Sequence, residues 1–192
     1  KLMSDYDVFL SGVNDTVMAL TGDDTRLFIG GAFTQAGYRA TPNRVVEFDG
    51  SNWNSLGDSV SYHLHSLYTT ESSNFVYVGG LFESAGGVSQ LLLARWDKTS
   101  HAWSEVGDGA DITGCLSNCP PTVEAILIDG IYIYIGGNFT SVGGMAANNI
   151  ARYNQVTGNW SNLDGGVNFS DKGFAKVYTM LASDGGLYVG GN

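Results

Sequence analysis

Nineteen acidic side chains oppose nine Lys and Arg among the 192 residues, giving a formal charge of −10. That balance provides no basic footprint for nucleic acid and disfavours an anionic membrane surface. Apolar residues are interrupted throughout, and no run approaches the roughly 20 residues that a membrane-spanning helix needs.

The first elements read as pieces of a repeating unit. Tyr6 to Val13 parallels the end of a later unit, since Leu10-Ser11-Gly12-Val13 matches Leu56-Gly57-Asp58-Ser59-Val60. Val17-Met18-Ala19-Leu20 then forms strand A, and Leu27-Phe28-Ile29-Gly30-Gly31 forms strand B. Strand C is Val45-Val46-Glu47-Phe48-Asp49, and strand D runs from Trp53 to Leu56. The second unit repeats the order. Leu64 to Leu67 is followed by Phe75-Val76-Tyr77-Val78-Gly79-Gly80, then Leu93 to Asp97, then Trp103 to Val106. The third gives Val123 to Ile126, Tyr132-Ile133-Tyr134-Ile135-Gly136-Gly137, Ile150 to Asn154 and Trp160 to Leu163. A fourth begins with Val177 to Met180 and Leu187-Tyr188-Val189-Gly190-Gly191. Each strand is a short apolar or alternating run bounded by turn residues, and no segment has helical spacing.

The first glycines of the four pairs are 49, 57 and 54 residues apart, and Trp53, Trp103 and Trp160 keep the same beat. A period near 50 with four strands per unit predicts an all-β, kelch-like β-propeller of antiparallel blades. The expected division is the end of one blade over 1–13, blades over 14–60, 61–110 and 111–167, and half a blade over 168–192. A half-blade leaves an open edge, so the native polypeptide is expected to extend beyond both Lys1 and Asn192. The tryptophans, recurring at one blade position, are expected to be packing anchors. The glycine pairs are expected either to let backbones pass closely or to take dihedrals closed to other residues.

Cys115 and Cys119 sit in an inserted turn that accounts for most of the longest spacing. A C-x3-C pair in a proline-ended loop reads as a local disulfide, which implies an oxidising compartment. Two thiols or half of a metal site are the rival readings, and no second C-x-x-C or nearby His supports zinc. The sequons begin at Asn14, Asn138, Asn159 and Asn168. Asn14 and Asn168 fall in surface connections, Asn159 enters strand D, and Asn138 follows a glycine pair and has a structural alternative. With the cysteines, they point to a secreted or cell-surface glycoprotein.

His63-Leu64-His65 is a weaker signal. Two histidines at i and i+2 can bind copper or zinc but need further ligands. The positions equivalent to His65 are Met18, Glu124 and Tyr178. Arg95 and Arg152 repeat at one position, which favours a structural ion pair or stacking contact. A radical-copper site of the galactose oxidase kind needs a cysteine cross-linked to tyrosine, and both cysteines lie in one loop. A sialidase-type site needs more arginines than this chain supplies. The turns Gly107-Asp108-Gly109-Ala110-Asp111 and Asp164-Gly165-Gly166 offer oxygen ligands to calcium but match no EF-hand. No catalytic residue, cofactor or metal site is assigned.

Residues 134–167, YIGGNFTSVGGMAANNIARYNQVTGNWSNLDGGV, resemble the kelch-like repeats of fungal cortical polarity markers and of related bacterial and protist surface proteins. The resemblance implies a secreted or membrane-tethered propeller that scaffolds other surface proteins or wall material, without catalysis. Ala32 and Leu81 replace the Asn of the motif, and no apolar run long enough for a transmembrane anchor occurs within these 192 residues. The function expected is therefore non-enzymatic binding, with other extracellular proteins or further copies or domains of the chain itself as partners. The alternatives are a glycan-binding propeller, or part of an enzyme whose site lies in other blades. The loops that break the repeat, through Leu116, Ser117 and Asn118 and through Tyr38 and Arg39, are the expected contacts.

Overall fold

The computed structural model describes residues 12–37, 39–40, 44–58, 60–89, 92–107, 109–115, 119–167 and 175–192. Nearly all of the expected terminal strand over Tyr6 to Val13 lies outside these residues. The described chain is all-β, and no helix occurs among the described residues.

Strands are numbered in chain order. The first sheet comprises β1 (Val17–Gly22), β2 (Leu27–Gly31), β5 (Val45–Phe48) and β6 (Trp53–Ser55), with the hairpin β3 (Gln35–Ala36) and β4 (Arg39–Ala40) inserted after β2. The second comprises β7 (His63–Tyr68), β8 (Phe75–Leu81), β11 (Leu93–Asp97) and β12 (Ala102–Glu105), with the hairpin β9 (Ser84–Ala85) and β10 (Val88–Ser89). The third comprises β13 (Thr122–Asp129), β14 (Tyr132–Asn138), β17 (Ile150–Asn154) and β18 (Asn159–Ser161), with β15 (Ser141–Val142) and β16 (Met145–Ala146). A two-stranded sheet of β19 (Val177–Ser183) and β20 (Gly186–Gly191) follows. Strands A to D thus pair antiparallel in the expected order. Consecutive sheets pack through their first strands, β1 on β7, β7 on β13 and β13 on β19.

The glycine pairs act through close approach. A side chain on the first glycine would strike the next sheet: Gly30 faces Leu64 and Leu67, Gly79 faces Val123 and Ile126, and Gly136 faces Val177 and Met180. A side chain on the second would strike the backbone carbonyl of Thr16, His63, Thr122 or Lys176, just before or at the start of strand A. The small third residue of strand A sits opposite the first glycine, in the pairs Ala19–Gly30, Ser66–Gly79, Ala125–Gly136 and Thr179–Gly190. At the residue before it, every A strand bulges, so Met18, His65, Glu124 and Tyr178 are each the extra residue. A bulge re-aims a side chain.

Apolar side chains fill the gaps between sheets. Phe28, Val45, Leu56, Leu64, Val76 and Trp96 form one cluster, and Tyr77, Leu93, Val106, Ile112, Ile133 and Phe139 form another. The strand-D tryptophans join this packing as expected. Each pairs with an aromatic on strand C, as Phe48–Trp53, Trp96–Trp103 and Tyr153–Trp160, with ring centroids 5.0, 5.4 and 5.1 Å apart. Each also lies on a glycine of the inserted hairpin, Gly37, Gly86 or Gly143, where a β-carbon would clash with the indole. These glycines have φ of +63°, +64° and +58°, so the turn and the tryptophan both require them.

The repeated arginines stack. Arg95 lies over Phe75 at 4.4 Å and donates from Nε to Ser104 Oγ at 3.0 Å. Arg152 lies over Tyr132 at 4.5 Å and donates to Ser161 Oγ at 3.1 Å. The first sheet exchanges the partners: Glu47 takes the arginine position, Arg26 takes the aromatic position, and they pair at 3.9 Å.

Candidate functional site

A cleft of about 650 Å³ opens between the second and third sheets. Three segments build it: Ser61 and Tyr62 before β7, Leu81 to Glu83 with Leu92 around the β9–β10 hairpin, and Ile112 to Gly114 with Pro120 and Pro121 before β13. Its floor is apolar, with Phe82, Leu92 and Ile112 almost wholly buried. Its rim carries Tyr62, which is 51% exposed, together with exposed Glu83, Thr113 and Pro120. A concave, largely apolar site with a few polar groups at its mouth is the general form of a ligand pocket.

Local hydrogen bonds fix the walls. Ser61 Oγ accepts from the backbone N–H groups of Glu83 and Ser84, both at 3.1 Å. The Thr113 carbonyl accepts from Thr140 at 3.0 Å and Ser141 at 3.1 Å. Leu92 donates its N–H to the Phe82 carbonyl at 3.0 Å and accepts from Gly80 at 3.1 Å. It holds φ of 67°, in the left-handed region that a leucine rarely enters. Asn149 fills the equivalent place in the third sheet with φ of 65° and tolerates it better. The second sheet thus holds a strained backbone where leucine contributes the cleft floor.

The expected disulfide is not formed in the structure, where Cys115 and Cys119 are not joined. The Cys115 thiol donates to the Cys119 carbonyl, and Cys119 Sγ accepts from Asn138 Nδ2 at 2.9 Å. The two sulfurs therefore engage different partners. Asn138, the sequon with a structural alternative, is 5% exposed and its amide is used in that contact. Asn14 is exposed, but its side chain is a clip. It accepts from Thr34 and Gln35 N–H at 2.9 Å and donates to Thr34 Oγ1 at 3.2 Å, as Ser61 clips the second sheet. Asn159 is exposed beside its partner Asn154. Asn168, Tyr38, Leu116, Ser117 and Asn118 lie outside the described residues, and Arg39 pairs with Ala36 in the first hairpin. The inserted loop does wall the cleft, through its two stems.

Two of the bulge residues, His65 and Glu124, join Lys176 in a polar chain across the first strands of neighbouring sheets. His65 Nδ1 lies 2.8 Å from Glu124 Oε1, and Lys176 Nζ lies 2.7 Å from the same oxygen. His63 stacks on His65 at 6.4 Å. No cluster of three or more His, Cys, Asp or Glu suited to a metal occurs among the described residues. Burial pushes the Glu124 carboxyl up, but hydrogen bonds from His65 and Lys176 outweigh it and hold it at about 2. A carboxylate with a depressed folded pKa contributes stability above its unfolded value of 4.5 and loses it as pH falls toward about 2. Stability should therefore fall by about 1–2 kcal/mol over that window, after allowance for solvent screening. Urea titrations between pH 6 and pH 2 check this, and Glu124→Gln should flatten that part of the profile.

One buried pair gave no sequence signal. Lys98, just after β11, reaches Asp23 in the β1–β2 turn at 3.0 Å and Thr69 Oγ1 at 3.3 Å. The partners are 75 residues apart and in different repeats. No spacing rule within one repeat could connect them.

No family model matches the chain, and no curated protein matches it. Solved structures do. The crystal structure of the computationally designed Ika4 protein aligns with TM-score 0.55 at 14% identity, over 95% of this chain and 89% of that one. The computationally designed Ika8 protein aligns with TM-score 0.53 at 14% identity, over 95% of this chain and 45% of its own. At that identity the likeness is one of fold alone: a run of four-stranded antiparallel sheets.

Proposed function

We propose that this chain is part of a kelch-type β-propeller and that it binds a partner without turning it over. The propeller reading is supported by the period near 50 residues and by sheets that stack through their first strands. The observation that carries the binding reading is the cleft between the second and third sheets. It is formed where the inserted loop departs from the repeat, and its apolar floor suits one large apolar side chain of a protein partner. Glu124, a strongly perturbed carboxyl, does not line the cleft and is committed to an ion pair, as expected of a structural group. Placement outside the cell rests on the exposed sequon at Asn159 and on the excess of acids.

A glycan partner is the second reading, favoured by one feature: exposed Tyr62 beside Glu83 offers a stacking face and an acceptor. Peptide display and a glycan array on the same protein separate the two. Peptides selected on the parent protein should carry a large apolar anchor. Thr113→Arg, which places a long charged group at the mouth, should weaken them at least tenfold, about 1.4 kcal/mol, with the melting temperature unchanged. Selected ligands that ignore both Thr113→Arg and Tyr62→Ala would remove the cleft as the site. Measured turnover of any substrate would overturn the wider reading.

A further inference from the structure

The floor of the cleft differs from the matching place in the other two four-stranded sheets by one side chain. Leu92 and Asn149 occupy the same position, with φ of 67° and 65°. Each donates its N–H to the phenylalanine that follows strand B, Leu92 to the Phe82 carbonyl at 3.0 Å and Asn149 to the Phe139 carbonyl at 2.9 Å. In the third sheet the Asn149 carboxamide makes two further bonds. Its Oδ1 accepts from the Phe139 N–H at 3.4 Å, and its Nδ2 donates to the Val167 carbonyl at 3.0 Å. In the first sheet Arg44 stands here and donates to the Ala32 carbonyl at 2.9 Å.

In the second sheet Leu92 has no polar side-chain atom to offer. The carbonyl at the Val167 position, that of Ala110, is served instead by the Gly143 N–H at 2.7 Å. The Phe82 N–H has no acceptor among the described residues, although Phe82 is only 1% exposed. A buried donor left unpaired is costly, so it favours a ligand that brings an acceptor. Phe82 and Leu92 both line the cleft. The cleft is thus the vacated seat of a carboxamide, with one free donor on an apolar floor.

Charge narrows the occupant. Glu83 is the one charged side chain on the described lining, and no ion pair holds it among the described residues. A ligand carboxylate would face it as a like charge, whereas a neutral carbonyl beside a cation complements both the donor and the rim. We propose that the cleft takes a peptide segment of a protein partner, one of whose backbone carbonyls replaces the Asn149 carboxamide and accepts from the Phe82 N–H. The apolar side chain beside that carbonyl rests on Leu92 and Ile112, and a Lys or Arg of the segment meets Glu83. This rests on the reading of the cleft as the binding site and adds the contact that fixes the register of the bound chain.

The test takes a display-selected peptide that binds the parent protein and titrates it by calorimetry against the parent, Thr113→Arg and Leu92→Asn. Leu92→Asn returns the carboxamide and suits the left-handed backbone. It should weaken the peptide by at least about tenfold, because the floor donor is already taken. On the parent, replacing successive peptide amides by E-alkene isosteres should reveal one position with a similar loss, and that loss should disappear on Leu92→Asn. The Phe82 amide proton of the parent should move downfield on binding, a readout that needs no variant to fold. A peptide lost on Thr113→Arg that binds Leu92→Asn as well as the parent would overturn the carbonyl contact and leave the cleft as the site. So would a Phe82 amide that does not move. Glycans bound with no peptide selected would overturn the peptide occupant. A peptide indifferent to Thr113→Arg would remove the cleft as the site and this inference with it.

Discussion

Lys98→Ala is expected to lower the unfolding free energy by about 3 kcal/mol, near the bottom of the range for breaking a buried ion pair. The Lys98 and Asp23 side chains are only 5% and 6% exposed, so neither charge is solvated by bulk water. Burial pushes the Asp23 carboxyl up, but bonds from Lys98 and Thr25 overcome this and hold it far below its usual range. Removing the ammonium would strand a carboxylate between two sheets. The loss is moderated because Asp23 also accepts from the backbone N–H of Thr25 at 3.1 Å and of Arg26 at 2.9 Å, and from Arg26 Nη2 at 3.2 Å. Urea unfolding at neutral pH measures the change. A loss below about 1 kcal/mol, the range of exposed pairs, would mean that those remaining donors suffice.

Trp103→Ala should cost about 3–5 kcal/mol, as truncation of a large packed aromatic does. Trp103 links two sheets. Its ring lies 5.4 Å from Trp96, its Nε1 donates to the Leu56 carbonyl of the preceding sheet at 2.7 Å, and it covers Gly86. Removing it opens a void and leaves a buried carbonyl without its donor. Thermal unfolding should show the loss in the parent background. A variant that kept its melting temperature but lost a ligand would make this tryptophan part of a binding row.

The strands were legible because each repeat spells its own pattern. Apolar runs, the glycine pair and the strand-D tryptophan recur with one period, and one sheet explains the others. The role of the glycine pair was legible only as two alternatives, and the contacts at Gly30 and Gly31 select close approach. The bulge was hidden because Met18, His65, Glu124 and Tyr178 share no chemistry; it shows only in the pairing register. The recurrence of Arg95 and Arg152 was legible as either an ion pair or a stacking contact, and the structure shows stacking. The exchanged pair Arg26–Glu47 was not legible, since it keeps the geometry while changing both residue types. The cleft escaped because its lining comes from segments far apart in the sequence, brought together only by the packing of two sheets. Sequence reasoning found the inserted loop as an anomaly and assigned contacts to Leu116, Ser117 and Asn118, which lie outside the described residues; its stems at Thr113 and Pro120 wall the cleft. The cysteine spacing was permissive for a disulfide without requiring one.

The exchange of partners between sheets bears on how the chain reaches its fold. Tandem repeats risk pairing a strand with the wrong copy while still unfolded. If β11 were to add to β2, Arg95 would meet Arg26; if β5 were to add to β8, Glu47 would lose its cation and face Phe75. Like charges on neighbouring strands are destabilising. The first repeat therefore carries an address that the second and third do not share, written in the same side chains that stabilise the finished sheets.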